Sequence, residues 1–183
     1  MFLLALFLAA VLSGATAAVA GFGIGSLLTP LLATQVGTPT AVAAIAIPHV
    51  AATAPRFWRL RHAVDGTVIR RFGLLSAVGG LAGSQGGLRA AALLSFSLTP
   101  VAYVATATAT ALLVDVARTP IYVWRAGGAL VPLWPELGVA TAGVLLGTLA
   151  GERLLPGLSP ARFRTIIAIV IGLLGAWIVY SVA

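Results

Sequence analysis

An arginine and an aspartate lie three residues apart in a segment that is otherwise rich in apolar residues and threonine. Asp115 and Arg118 share one face of a helix predicted at 101–124, and Thr108 lies two turns earlier on that face. In a membrane helix, such ionisable side chains usually face the protein interior or a water-filled cavity. We interpret Arg118 as a guanidinium that meets an anionic substrate, held and partly neutralised by Asp115. A structural ion pair, or an arginine that reaches the membrane surface, is the alternative.

A second polar face is predicted on the helix 39–58. It holds His49, with Thr53 and Arg56 four and seven residues further on. Because histidine changes its charge near neutral pH, we assign His49 and Asp115 to proton or ion coupling. The alternative is a histidine that only makes a packing hydrogen bond. We expect Arg56 to lie at the membrane boundary.

Two glycine-rich stretches, Gly21-Phe-Gly-Ile-Gly-Ser26 and Gly83-Ser-Gln-Gly-Gly87, interrupt apolar sequence. Glycine lets a helix break and lets other groups approach the backbone. A helix that begins inside a membrane directs unpaired N–H groups and its positive dipole end at an interior site, which suits an oxyanion. Arg89, just beyond the second stretch, adds positive charge there or marks the membrane edge. Close helix packing without a ligand is the alternative.

The candidate substrate-binding residues come from both glycine stretches and from the polar helix: Gly21, Gly23, Gly25, Ser26, Gln85, Gly86, Gly87, Thr108 and Arg118. We expect no catalytic residue, no cofactor and no metal site. The chain has no cysteine, two histidines and four acidic residues, and it lacks the Gly-x-Ser-x-Gly and His-Glu-x-x-His motifs.

The composition is that of an integral membrane protein. Of the 183 residues 60% are hydrophobic and 8% are charged, with a mean hydropathy of +1.09, whereas a soluble domain has about 25% charged residues. We therefore expect one transmembrane domain over residues 1–183. The net charge of +7 comes from arginines between apolar segments, a distribution typical of cytoplasmic loops rather than of a nucleic-acid-binding surface.

The apolar sequence divides into eight predicted helices, at about 2–20, 24–36, 39–58, 66–84, 87–99, 101–124, 132–151 and 161–182. Six are long enough to cross a hydrocarbon core of about 30 Å. The two that follow the glycine stretches are short, and we interpret them as half-helices. Thr38 and Thr99, each before a proline, are predicted N-caps. Gly127-Gly128 is predicted to separate two helices. We interpret the first segment as a membrane helix and not as a cleaved signal.

Spacing within the chain indicates an internal repeat. Gly79-x3-Gly83-x3-Gly87 is matched about 64 positions later by Gly143-x3-Gly147-x3-Gly151, and small residues spaced by four let membrane helices pack closely. Arg56 similarly matches Arg118. We expect one repeat at about 2–62, a second at about 64–124, and closing helices over 132–182.

Arginine-rich loops give the expected orientation. The loops 56–71 and 152–164 are predicted to be cytoplasmic. If all four segments between them cross the membrane, the repeats are inverted and both termini lie outside. We thus expect an all-α membrane protein with seven or eight transmembrane segments, two of them half-helices. If the short segments are re-entrant, the repeats are parallel.

Several of these motifs together resemble the sulfite exporter TauE/SafE family of membrane permeases, over about residues 14–180. The likeness rests on the Gly21–Leu32 stretch, the second glycine pair, the helix that ends Arg118-Thr-Pro-Ile-Tyr122, and the closing Ser159-Pro-Ala-Arg-Phe163. The resemblance implies transport of sulfur-containing anions such as sulfite or sulfonates, with ion coupling. The positions that it carries over are Gly21, Gly23, Gly25, Gly86, Gly87 and Arg118.

We therefore expect a secondary transporter that moves a small, sulfur-containing oxyanion across the cytoplasmic membrane. Its partners would be that anion and the lipid bilayer, with no nucleic acid, and a homodimer is one option for its assembly. A non-transporting membrane accessory protein and a passive anion channel are the alternatives.

Overall fold

The computed structural model describes residues 1–73 and 86–182, and the regular structure in these ranges is entirely helical. Eight α-helices follow in order: α1 (Phe2–Ala20), α2 (Ile24–Val36), α3 (Thr38–Leu60), α4 (Gly66–Val68), α5 (Gly86–Leu93), α6 (Pro100–Leu130), α7 (Trp134–Leu154) and α8 (Pro160–Val182). A π-helical turn, Ile69–Gly73, continues α4, and short 3-10 turns follow α3, α6 and α7.

The predicted segments mostly coincide with these helices, but two boundaries were wrong. Gly127-Gly128 does not separate helices, because α6 continues through both glycines to Leu130. Apart from the helix's own backbone, no described atom lies within 4 Å of a Cβ built at either glycine. Each glycine therefore destabilises the helix only through its low helix propensity, by about 1 kcal/mol relative to alanine. The segment predicted at 87–99 ends earlier, at Leu93. Of the segment predicted at 66–84, residues 74–84 lie outside the described part.

Of the two N-cap residues predicted from the sequence, the structure confirms one. The side chain of Thr99 accepts a hydrogen bond from the N–H of Ala102 at 3.3 Å, as predicted for an N-cap. The prediction for Thr38 was wrong, because Gly37 occupies the N-cap position and Thr38 is the first helical residue of α3.

Within residues 1–73 and 86–182, two helical stretches are long and apolar enough to cross a membrane, namely Phe2–Ala20 and Pro100–Gly157. Large apolar side chains also lie on the surface; Leu12 is 65% exposed and Trp124 is 84% exposed. Both observations favour association with lipid. The number of crossings and the inverted repeat stay predictions.

The interior consists of two apolar clusters that meet at the first glycine stretch. One cluster joins α1, α2, α3 and α7 with the end of α6. The other joins α4, α5, the start of α6 and α8. Ala17 and Ile24 belong to the first cluster, whereas Ala20 and Phe22 between them belong to the second. The chain therefore passes from one cluster to the other and back around Gly21–Gly23.

Three glycines of α7 bring its backbone directly against α1. A Cβ added to Gly143 would lie 2.7 Å from Cβ of Ala10, and one added to Gly147 would collide with the carbonyl oxygen of Val11. Gly151 packs in the same way. The close packing predicted from the four-residue glycine spacing is thus present in this triplet; two members of the earlier triplet, Gly79 and Gly83, lie outside the described residues.

We predict that Gly147→Ala destabilises the protein by about 1–3 kcal/mol, because the new methyl group forces α1 and α7 apart. Gly138→Ala is a matched control on the same helix, since no atom lies within 4 Å of its added Cβ; it is expected to be neutral or to stabilise by about 0.5–1 kcal/mol. Unfolding in detergent measures both. Equal stability of the two variants would contradict the packing argument.

Candidate functional site

The first glycine stretch interrupts the helix, as its sequence predicts. Helix α1 ends at Ala20 and α2 begins at Ile24. Between them Gly21 has φ +79° and Gly23 has φ +134°, in a region that side chains rarely adopt. A Cβ at Gly21 would also lie 2.7 Å from Cβ of Ala107. The second stretch is described only from Gly86 onward.

The N-terminus of α2 leaves its first N–H groups without helical acceptors. The first helical bond runs from the N–H of Leu27 to the carbonyl of Gly23 at 3.0 Å, so the N–H groups of Ile24, Gly25 and Ser26 precede it. Within the described residues, no side chain caps this end. The helix therefore presents hydrogen-bond donors and its positive dipole end to its surroundings.

A small cavity lies at this helix terminus, between the glycine break and α2, α3, α5 and α6. Its volume is about 40 Å³. Seven of the predicted site residues line it: Gly21, Gly23, Gly25, Ser26, His49, Gly86 and Arg118. Segments far apart in sequence thus meet around one space.

Asp115 organises the polar side of this site. Its carboxylate is fully buried. Arg118 donates to Oδ1 through Nε at 3.1 Å and through Nη2 at 2.9 Å. Nδ1 of His49 lies 2.5 Å from Oδ2, and the hydroxyl of Thr53 lies 3.4 Å from the same nitrogen. The two residues assigned to coupling therefore touch each other, and one carboxylate links α3 to the arginine of α6.

The cavity has an excess of positive charge. Arg89 and Arg118 both line it, and Asp115 lies close enough to act on both. Nη1 of Arg89 is buried and has no hydrogen-bond partner among the described residues. With two guanidinium groups and one carboxylate, the site has one positive charge left over when His49 is neutral. Apolar walls, Phe22 and Ala107 among them, strengthen the field of that charge.

Three of the predicted site residues that the structure describes do not line the cavity. Asp115 lies behind Arg118 and His49, and Thr108 is buried elsewhere on α6. Gly87 packs towards Phe22, whose Cε2 lies 3.8 Å from a Cβ built there. Gln85 lies outside the described residues. For Gly87 the reason is helical geometry, because a residue next to Gly86 points about 100° away around the axis.

Some cavity residues were missed from the sequence. Thr110 lines the cavity, but its hydroxyl donates to the carbonyl of Thr106 at 2.9 Å and offers the cavity only an acceptor. Ala107, Thr110 and Ala111 line the cavity together, because residues spaced by three and four lie on one face of a helix. Arg56, which we expected at the membrane boundary, has a buried side chain, with 1% exposure; its depth in the membrane stays a prediction.

No family model, no curated protein and no solved structure matches this chain. The resemblance to sulfite exporters therefore stays a prediction from motifs. Over residues 1–73 and 86–182, no group of three or more histidine or acidic side chains is positioned to hold a metal ion. The geometry of the site itself provides hydrogen-bond donors and positive charge.

We predict that Asp115→Asn destabilises the protein by about 3 kcal/mol or more, because it leaves the mostly buried Arg118 without a counter-charge. Glu136→Gln makes the same chemical change at a carboxylate that forms no ion pair with the described residues, and it should cost no more than about 1 kcal/mol, which is what an acidic side chain contributes in the first turn of a helix. Unfolding midpoints in detergent measure both. Equal losses would show that Asp115 does not hold the site together.

Proposed function

We propose that this protein is a secondary transporter, and not an enzyme, for a small oxyanion such as sulfite. The observation that supports this best is the cavity where the uncapped start of α2 meets the guanidinium groups of Arg89 and Arg118. Backbone N–H groups at a helix N-terminus and a guanidinium are two standard ligands of oxyanions in proteins. A third donor is the hydroxyl of Ser26, which lines the same space.

The size of the cavity favours an inorganic anion. A volume of about 40 Å³ exceeds the 10–15 Å³ or so that one water molecule needs, so a small anion fits within it. Among the sulfur-containing anions that the motifs suggest, sulfite fits this description better than a large organosulfonate.

In the proposed architecture, seven or eight segments cross the cytoplasmic membrane, with the loops 56–71 and 152–164 on the cytoplasmic side. The repeats at about 2–62 and 64–124 would be inverted, as in other transporters whose sites form at broken helices. The break at Gly21–Gly23 supports this, since irregular backbone within a membrane is tolerated where it lines a cavity. Alternating access would expose the cavity to either side in turn.

The shared carboxylate provides a route for ion coupling. His49 and Arg118 bind different oxygens of Asp115. A proton taken up by His49 would strengthen the attraction between His49 and Asp115. The attraction between Asp115 and Arg118 would become weaker, because the carboxylate is then shared by two cations. The positive charge of the cavity rises by one, so proton binding and anion binding favour each other, as reciprocal linkage requires.

Arg118→Gln and Arg89→Gln are predicted to lower sulfite flux into proteoliposomes by at least tenfold, because each removes a positive charge from the cavity. A charge-assisted hydrogen bond contributes about 1.5–3 kcal/mol, which corresponds to tenfold or more. Arg162→Gln removes the same charge from an exposed position and should transport normally. Sulfite should also raise the melting temperature of the native protein.

Two results would contradict the proposal. Full flux in both cavity variants would remove the guanidinium groups from the mechanism. A native protein that neither transports nor is stabilised by sulfite would favour a membrane accessory protein instead.

His49→Gln is predicted to remove the dependence of flux on pH while leaving a slow, uncoupled flux. Glutamine can still donate a hydrogen bond to Asp115 but cannot take up a proton near neutral pH. The native protein should transport faster when sulfite and protons move down parallel gradients, and the variant should not respond to the proton gradient. Native flux that is large and indifferent to pH would indicate a passive channel.

A further inference from the structure

Arg56 is a fully buried cation, and two of its three guanidinium nitrogens lack a hydrogen-bond partner among the described residues. It has 1% exposure, and the two nitrogens are Nε and Nη1. A buried charge normally has a counter-charge and hydrogen bonds, because both its desolvation and its unmade bonds are costly. The fold therefore leaves a strong demand for an acceptor at this position.

The nearest charged groups do not meet this demand. Glu152 and Arg59 are the charged side chains that act on Arg56. Both oxygens of Glu152 already accept hydrogen bonds from Arg59, at 2.9 and 2.8 Å. These three side chains together keep one uncompensated positive charge. A water molecule would supply an acceptor but no charge, whereas an anion supplies both.

A second unsatisfied group lies on the facing helix. His49 of α3 meets Asp115 of α6, and the N–H of Asp65, after the end of α3, donates to the hydroxyl of Thr106 at 3.0 Å. The two helices therefore run antiparallel. Thr108 lies between these two contacts on α6, as Arg56 does on α3. Its hydroxyl is buried and has no partner within the described part of the chain.

Along α3, Arg56 lies between the cavity and the other arginines of the segment 56–71. Arg56 is seven residues beyond His49, which lines the cavity, and a helix rises about 10 Å over that distance. Beyond it come Arg59, near the end of α3, and the rest of this segment, which we expect on the cytoplasmic side. An anion that moves from the cavity towards this loop would pass Arg56.

We propose that Arg56 and Thr108 form a second anion site, closed in this conformation, on the route between the cavity and the cytoplasmic loop. The site takes a small oxyanion, which accepts hydrogen bonds from the guanidinium of Arg56 and the hydroxyl of Thr108. This inference rests on the proposed transport function, because the cavity supplies the anion.

Thr108→Val tests the site without removing a charge. Valine keeps the shape of the side chain and deletes a buried hydroxyl that has no protein partner, so a purely structural role predicts equal or greater stability. If the hydroxyl binds the passing anion, sulfite flux falls by about tenfold while stability is retained and sulfite still raises the melting temperature through the first cavity. Thr119→Val deletes another unpartnered hydroxyl of α6 that is not a cavity residue, and it should transport normally.

Arg56→Gln and Arg56→Lys complete the test. The glutamine variant should keep stabilisation by sulfite but lose at least 90% of the flux, and lysine should restore part of it. Full flux in Thr108→Val and Arg56→Gln overturns the second site, as does a glutamine variant that loses sulfite stabilisation together with flux. A native protein without sulfite binding or flux instead overturns the transport function itself.

A structure with selenite, whose selenium can be located by anomalous scattering, gives an independent measurement. An anomalous peak within hydrogen-bond distance of Arg56 supports the site. A water molecule there, or Glu152 turned onto Arg56, overturns it.

Discussion

The arrangement of this site depends on one buried carboxylate. Asp115 has no exposed surface and accepts hydrogen bonds from Arg118, while His49 contacts its other oxygen. It therefore fixes the distance between α3 and α6 and sets the direction in which Arg118 points. It also halves the positive charge that the two cavity arginines would otherwise present. A buried carboxylate in this position makes an arginine-lined cavity compatible with a stable fold, because an uncompensated pair of guanidinium groups would repel and remain desolvated.

Local features of the fold were predictable from the sequence. The bounds of α1 and α2 follow from apolar runs that end at glycine, and the close packing of α7 follows from the four-residue spacing of Gly143, Gly147 and Gly151. Errors arose where a weak local preference met a stronger constraint. The pair Gly127-Gly128 has a low helix propensity, but the helix continues through it and ends at Leu130. Pro132, which cannot donate a backbone hydrogen bond, lies in the 3-10 turn that follows.

The candidate site was predictable in its residues more than in its contacts. Polar groups in apolar helices are rare enough to be noticed, so His49, Asp115 and Arg118 could be selected individually. The contacts between them could not be predicted, because they depend on how α3 and α6 are aligned, and the sequence of one helix does not specify which residues of another lie opposite it. The burial of Arg56 could not be predicted for the same reason, because it depends on packing against neighbouring helices.

The contact between α1 and α7 has a mechanical consequence. Backbone rests on backbone there, and no side chain can yield by changing rotamer. The two helices must therefore move together as one rigid unit. The break at Gly21–Gly23 joins this unit to α2, and its glycines tolerate large changes in backbone angle. A change of backbone angle at this joint would move the start of α2, so the flexible residues lie directly before the free N–H groups of Ile24, Gly25 and Ser26.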